Sequence, residues 1–239
     1  MSDLTLSVIV PAYNEEGTVE QIVSRLHELP LRLEVIAVND ASRDGTGAVL
    51  DRLASQGVLQ RVIHHPENRG KGAALRSGIA AATGDVVVVQ DADLEYDPTD
   101  LPRLLEPIRS GRADAVYGSR FQGGPHRVLF FWHSVGNRLL TLVSNMFTNL
   151  NLTDMETCYK LVRRDLLQRL PLTSDRFGFE VEITARLSQA GARIWELPIT
   201  YSGRTYAEGK KITWRDGLAA LWHIVRYNVA PPGGDWRQR

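Results

Sequence analysis

Residues 86–96 read VVVVQDADLEY. Four consecutive valines show no polar–apolar alternation, so the segment suits a strand covered on both faces, as in a parallel sheet. After Gln90, the acids Asp91, Asp93 and Glu95 stand at alternate positions. They fall at the carboxyl end of the predicted strand, where open α/β sheets place their ligands. Two carboxylates about 4 Å apart repel by roughly 4 kcal/mol at an effective dielectric near 20, so the cluster calls for a cation. Hard oxygen donors suit Mg²⁺ or Mn²⁺, and magnesium is often shared between one or two carboxylates and substrate phosphates. The plain alternative is a solvated acidic turn ahead of a helix that starts at Asp97-Pro98.

Upstream of the valines, short apolar runs at 4–10, 33–38 and 58–63 read as strands. Helical segments separate them, from Asn14 to about Glu28, from Ser42 or Asp44 to about Gly57, and over 73–82. Strand and helix alternating at this spacing predict a Rossmann-like, mostly parallel sheet with helices on both faces. Downstream, a helix follows Pro98, strands are expected at 113–117, 158–162 and 193–199, and short helices at 164–170 and 179–190. Pro198 marks the last strand as an edge. Val128, Trp132, Val135, Leu139, Leu142, Met146 and Leu150 recur in steps of three and four, which predicts a helix. A second such stripe, Trp214, Leu218, Leu221, Trp222, Val225 and Val229, gives an amphipathic helix over 213–230, and a flexible tail is expected at 231–239. The fold class is therefore α/β, one domain over 1–212 plus a C-terminal amphipathic helix.

Composition narrows the function. The 28 basic and 28 acidic residues among 239 leave no net charge, which removes a global argument for nucleic-acid binding. The single cysteine, Cys158, excludes an intramolecular disulfide framework and fits a reducing, cytoplasmic compartment; it reads as a small buried hydrophobe. The N-terminus lacks a basic and then apolar leader, and no stretch nears the roughly 20 apolar residues that span a bilayer. A chain that is free in solution or peripheral to a membrane is expected.

Three strand ends converge on one edge: Pro11-Ala12-Tyr13-Asn14-Glu15, Asn39-Asp40 and Asp91 to Glu95. Asp40 can accept hydrogen bonds from a ribose or a base edge, or can merely turn the chain into a helix. Tyr13 can offer its ring to a base, or can simply pack. Together these residues outline a nucleotide pocket beside a metal site.

At this point the chain resembles a known family. VIVPAYNEE, VNDASRDGT, NRGKGAALRSGI, QDADLEYDP and YGSRF look like the nucleotide-sugar half of family 2 inverting glycosyltransferases, whose fold is called GT-A. TDMETCYKLVRR, RFGFEVEI and YSGRTYAEGKKI resemble the branch containing dolichol-phosphate mannosyltransferase and its bacterial polyprenyl-phosphate relatives. The likeness spans residues 6–212. It implies that Pro11, Ala12, Tyr13, Glu15 and Asp40 surround the base and ribose. Asp91-Ala92-Asp93 matches the DxD metal motif, with Glu95 as a further ligand for Mg²⁺ or Mn²⁺. Arg120 lies near the transferred phosphate chemistry, Arg138 meets an acceptor phosphate, and Lys71 contacts the donor. Arg204 and Lys210 belong to a loop that closes over the donor in relatives. The implied reaction moves one hexose from GDP-mannose or a UDP-sugar to polyprenyl or dolichyl phosphate at the cytosolic membrane face.

A lipid phosphate is already largely ionised near neutral pH, its second pKa being roughly 6, so no strong base is needed. A hydroxyl acceptor would need one, and Asp154 or Glu156 would supply it, unless both only shape a turn. His64-His65 reads as structural. Many lipid-phosphate members carry C-terminal transmembrane helices; this chain has instead the two aromatic-rich stripes, which either pack in a core or lie at a membrane surface. The QxxRW element of processive synthases is absent, Trp214-Arg215 being in the reverse order, and no GxGTR-like loop points to a nucleotidyltransferase. A non-catalytic nucleotide-sugar sensor is the remaining alternative, against which the intact acid cluster argues.

Overall fold

The computed structural model describes residues 4–128, 130–176, 178–204 and 214–230. Its strands are β1 (Thr5–Ala12), β2 (Arg32–Asn39), β3 (Arg61–His64), β4 (Val86–Val89), β5 (Ala115–Ser119), β6 (Lys160–Arg163) and β7 (Ile194–Pro198). They form one sheet in the order β3-β2-β1-β4-β6-β5-β7, in which only β6 runs against its neighbours. The helices are α1 (Val19–His27), α2 (Thr46–Ser55), α3 (Lys71–Ala81), α4 (Leu101–Arg109), α5 (Phe131–Thr148), α6 (Arg164–Arg169), α7 (Phe179–Gln189) and α8 (Trp214–Val229).

The valines of β4 are all buried, paired in parallel with Leu6 to Ile9 of β1 and antiparallel with Val162 and Arg163 of β6. β2 lies on the far side of β1, also parallel. The ends of β1, β2 and β4 therefore sit side by side, as the strand–helix alternation predicts. β1 runs through Pro11 to Ala12, one residue past the expected stop. Alternate residues of a central strand bond to opposite neighbours. Pro11 faces the β4 side beyond the last pair, Ile9↔Val89, so its missing N–H removes no ladder bond there. α3 is drawn tightly onto β1: a methyl group at Gly78 would collide with Ile9. β7 ends at Pro198 on the sheet edge, as its proline predicts.

A smaller apolar cluster of Met155, Val181, Ala185, Ala220, Ile224 and Tyr227 joins α7 to α8. α5 packs beside it in an inverted sense. Its buried face is polar, with Thr141, Ser144 and Thr148, whereas Trp132 is 77% exposed, Leu142 57% and Met146 76%. The stripe that suits core packing by its spacing faces outward. α8 likewise buries Ala220, Ile224 and Tyr227 while exposing Leu218, Trp222, Val225 and Val229. Among the described residues no helix is long and apolar enough to cross a membrane.

Candidate active site

The turns after β1 and β2 are stitched together by backbone N–H groups that donate to backbone and side-chain oxygens. Asp40 N donates to Ala12 O at 3.0 Å, Arg43 N to Asn14 Oδ1 at 2.8 Å, and Glu15 N to Thr46 Oγ1 at 2.8 Å. Asn14 takes a φ of 57°, a left-handed conformation that asparagine tolerates. The result holds Pro11 to Glu15 in a fixed bend with the Tyr13 side chain exposed at its tip.

Asp40 is turned inward. Its Oδ1 meets His65 Nδ1 at 2.7 Å and Arg69 N at 2.9 Å, and its Oδ2 accepts from Gly70 N at 2.7 Å. His65 reaches on to Ser77 Oγ at 2.9 Å. Gly70 has a φ of 91°, open to glycine without strain. Asp40 thus clamps the loop that delivers Lys71 to the first turn of α3. His65 is part of that clamp, and His64 ties Asn39 to Asp51, so both histidines are connectors as their sequence context implies.

Lys71 Nζ lies 2.8 Å from the Asp91 carboxylate and 3.6 Å from Glu180 Oε1 at the start of α7. Ala92 is buried, and Leu94 takes a φ of 63°. A leucine held in the left-handed region costs about 1–2 kcal/mol, which the surrounding packing must offset. The bend lets Glu95 N close onto Asp93 Oδ1 at 3.2 Å. Arg204 then spans both acids, with Nη2 at 2.7 Å from Asp93 Oδ2 and Nε at 2.8 Å from Glu95 Oε1. Tyr201 Oη donates to Glu95 Oε2 at 2.7 Å. Burial, then the charges of Asp91 and Glu95, push the Asp93 carboxyl up to about 7. Among the described residues no three acids are gathered as a ready metal cage: Asp91 turns to Lys71, Asp93 and Glu95 to Arg204. The donor set still fits a hard divalent cation in chemistry and charge, since three neighbouring carboxylates have drawn in two of the chain's own cations. Lys210 lies outside the described residues.

Arg120 leaves the end of β5 and forks onto Asp154, with Nε and Nη2 each 2.7 Å from a carboxylate oxygen. Asn137 of α5 closes the pair: its Nδ2 donates to Asp154 Oδ1 at 3.1 Å and its Oδ1 accepts from Arg120 Nη2 at 3.3 Å. The guanidinium stacks 5.2 Å from the centre of the Tyr201 ring, which ties it to the acid loop. Arg138 is exposed on α5, with its guanidinium 5.8 Å from the centre of the Phe121 ring. Asp154 is fully buried, and both its carboxylate oxygens are bonded to Arg120.

Glu156 differs. Its Oε1 is buried with no hydrogen-bond partner among the described residues, and burial followed by the charge of Glu180 pushes its carboxyl up to about 7. An unburied glutamate ionises near 4.5, so stability is lost as pH rises from there and the full penalty applies above 7. Glu156→Gln is expected to raise stability by roughly 1–2 kcal/mol at pH 8 and by much less at pH 5, read as a difference in denaturation midpoints.

Asn137, Tyr201 and Glu180 touch Asp154, Glu95 and Lys71, contacts that local patterns do not single out. Cys158 is buried, its Sγ 3.7 Å from Val89 O, as expected of a small apolar filler.

This geometry can be set beside known proteins. The model of the family described as "Glycosyl transferase family 2" matches residues 7–170, more than half of the chain. The chain belongs to that family. It is a glycosyltransferase, and its mixed sheet is the GT-A fold. It is 34% identical to undecaprenyl-phosphate mannosyltransferase of Micrococcus luteus, over 91% of this chain and 96% of that protein. Polyprenol monophosphomannose synthase of Mycolicibacterium smegmatis is 32% identical, over 85% and 79% respectively. The crystal structure of glucosyl-3-phosphoglycerate synthase from Mycobacterium tuberculosis, in complex with Mn²⁺, UDP and glucosyl-3-phosphoglycerate, superposes with a TM-score of 0.73. It covers 97% of this chain and 82% of its own at 22% identity, a likeness of fold.

Proposed function

We propose that this glycosyltransferase moves one hexose, with inversion, from a nucleotide-diphosphate sugar to a polyprenyl phosphate at a membrane surface. The observation that carries the acceptor is the outward apolar face of α5. One helix exposes Phe131, Trp132, Leu139, Leu142 and Met146 and also carries Asn137, which braces Arg120, and the exposed Arg138. Trp222 and Val229 are likewise exposed on α8, which packs against α5. An apolar surface this large on a folded chain marks an interaction site, and a bilayer presents the acceptor phosphate at the same level. The names of the two relatives, an undecaprenyl-phosphate mannosyltransferase and a polyprenol monophosphomannose synthase, support the same acceptor.

A bound Mg²⁺ or Mn²⁺ on Asp91, Asp93 and Glu95 would supply positive charge to the departing nucleotide diphosphate. The chain's own groups do the rest. Arg120, held rigid by Asp154 and Asn137, keeps a full positive charge beside the acid loop without reorganising. The exposed Tyr13 ring offers a stacking face to the base. The lipid phosphate arrives ionised, so a single in-line displacement needs no proton acceptor.

Labelled GDP-mannose and UDP-glucose, each with undecaprenyl phosphate and either metal, test this reading. A labelled lipid extractable into organic solvent is expected with one of the donors; no product with either overturns it. Trp132→Glu with Trp222→Glu is expected to lower binding to anionic lipid vesicles by at least about tenfold, since two buried aromatic side chains contribute roughly 1.5–3 kcal/mol each. A hydroxyl acceptor is the second reading, favoured by Glu156, whose buried Oε1 has no hydrogen-bond partner among the described residues and whose carboxyl is pushed up to about 7. Loss of turnover in Glu156→Gln with nucleotide binding intact would select it.

A further inference from the structure

We propose that Arg204 is the resident cation of the acid loop, and that a divalent metal enters only by displacing it, together with a nucleotide diphosphate. The inference rests on the metal reading above and adds an order of events to it. The atoms a metal would take are already in use. Asp93 Oδ2 accepts from Arg204 Nη2, and Glu95 Oε1 accepts from Arg204 Nε at 2.8 Å and from the backbone N of Arg204 at 3.2 Å. The segment leading to Arg204 is pinned across the same loop. Ser202 N donates to Glu95 O at 2.9 Å, Tyr201 Oη to Glu95 Oε2, and Tyr96 and Tyr201 form a β-bridge with their rings 5.2 Å apart. Lys71 holds the third acid, Asp91, at 2.8 Å.

A guanidinium and a divalent ion cannot share those oxygens. Like charges at contact distance in a half-buried site repel strongly, and a doubly charged ion repels about twice as strongly as a singly charged one. A bare metal ion must therefore break a two-pronged, charge-assisted pair and leave a guanidinium without its anions. A nucleotide diphosphate removes the conflict. Its oxygens can ligate the metal and pair with the released arginine, so metal and nucleotide each strengthen the other's binding. Arg204 suits such an exchange because it is a third exposed and lies beyond the end of β7, not within the sheet. Arg120 does not, being sealed against a fully buried carboxylate.

The test is direct metal binding. Mn²⁺ is titrated into the purified protein, and the free ion is followed by electron paramagnetic resonance, without nucleotide and then with GDP or UDP. The wild-type chain is expected to bind Mn²⁺ at least about tenfold more tightly with the matching nucleotide than without it, within the usual range of coupling between sites. Arg204→Gln, which keeps a polar side chain but no charge, is expected to bind Mn²⁺ alone about tenfold more tightly than wild type and to lose most of the gain from nucleotide. Arg204→Lys, which cannot fork onto two carboxylates, is expected to fall between them. A thermal melt checks that each variant is folded. If wild type shows nucleotide-dependent Mn²⁺ binding but Arg204→Gln binds the bare ion no better, the displacement is wrong and the metal site stands. If no variant binds Mn²⁺ with either nucleotide, the metal site itself is wrong and the displacement falls with it.

Discussion

Asp93→Asn is expected to lower turnover by about a hundredfold or more while leaving the fold at least as stable as before. The catalytic loss follows from the leaving group. A departing nucleotide diphosphate carries its charge away, and removing one preorganised stabiliser of such charge typically costs about 3–4 kcal/mol, each 1.36 kcal/mol being a factor of ten. The stability side has the opposite sign. Burial and the neighbouring Asp91 and Glu95 make the Asp93 charge unfavourable, which is why its carboxyl stands at about 7. Asparagine removes that repulsion and retains an oxygen for Glu95 N. The variant forfeits one prong of the Arg204 fork, while the prong to Glu95 at 2.8 Å remains. A thermal melt within a degree or two of wild type, or above it, beside a turnover reduced by two orders of magnitude is the expected pair of results. Unchanged turnover would mean that the acid loop holds no metal during transfer.

The parts of the chain that were legible in sequence are those fixed by local chemistry. The valine run of β4 could only be a strand covered on both faces, and its neighbours followed from the regular strand–helix spacing. The acids at alternate positions follow directly on β4, beside the ends of β1 and β2, as the strand–helix spacing predicts. What stayed hidden was set by contacts between distant segments. Asp40 looks like a ribose ligand or a turn residue in isolation; that its oxygens are spent on Arg69 N, Gly70 N and His65 appears only once β2 and β3 lie side by side. Arg204 and the acids it spans are more than a hundred residues apart, and nothing in either segment names the other. The α5 stripe shows a further limit. Periodicity shows that a helix has an apolar face but not what covers it, and here the buried face is the one with Thr141, Ser144 and Thr148. The antiparallel β6 in an otherwise parallel sheet was equally invisible, since a four-residue strand carries no mark of its direction.

Arg120→Ala is expected to damage both stability and turnover, and a second substitution separates the two. Asp154 is fully buried, and Arg120 supplies two of its charge-assisted bonds at 2.7 Å. Truncating the arginine leaves a carboxylate in the core with, among the described residues, Asn137 Nδ2 and a backbone N–H as donors, and breaking a buried pair in this way costs about 3–5 kcal/mol. Such a loss is a large share of the roughly 5–15 kcal/mol that holds a typical chain folded, so reduced turnover in Arg120→Ala alone would prove little. The double variant Arg120→Ala/Asp154→Ala removes both charges together. Its stability is expected to recover to within about 1–2 kcal/mol of wild type, because no buried charge is left alone and neighbours in one network are not additive. Turnover is expected to stay at least about a hundredfold down, because the guanidinium beside Tyr201 and the acid loop is still missing. If turnover returned along with stability, Arg120 would be a structural partner of Asp154 and its place in the chemistry would be lost. Arg120→Lys sharpens the distinction. One ammonium keeps the charge but cannot fork onto Asp154 and also meet Asn137, so it should retain more turnover than alanine and less than arginine, with its deficit in kcat rather than KM.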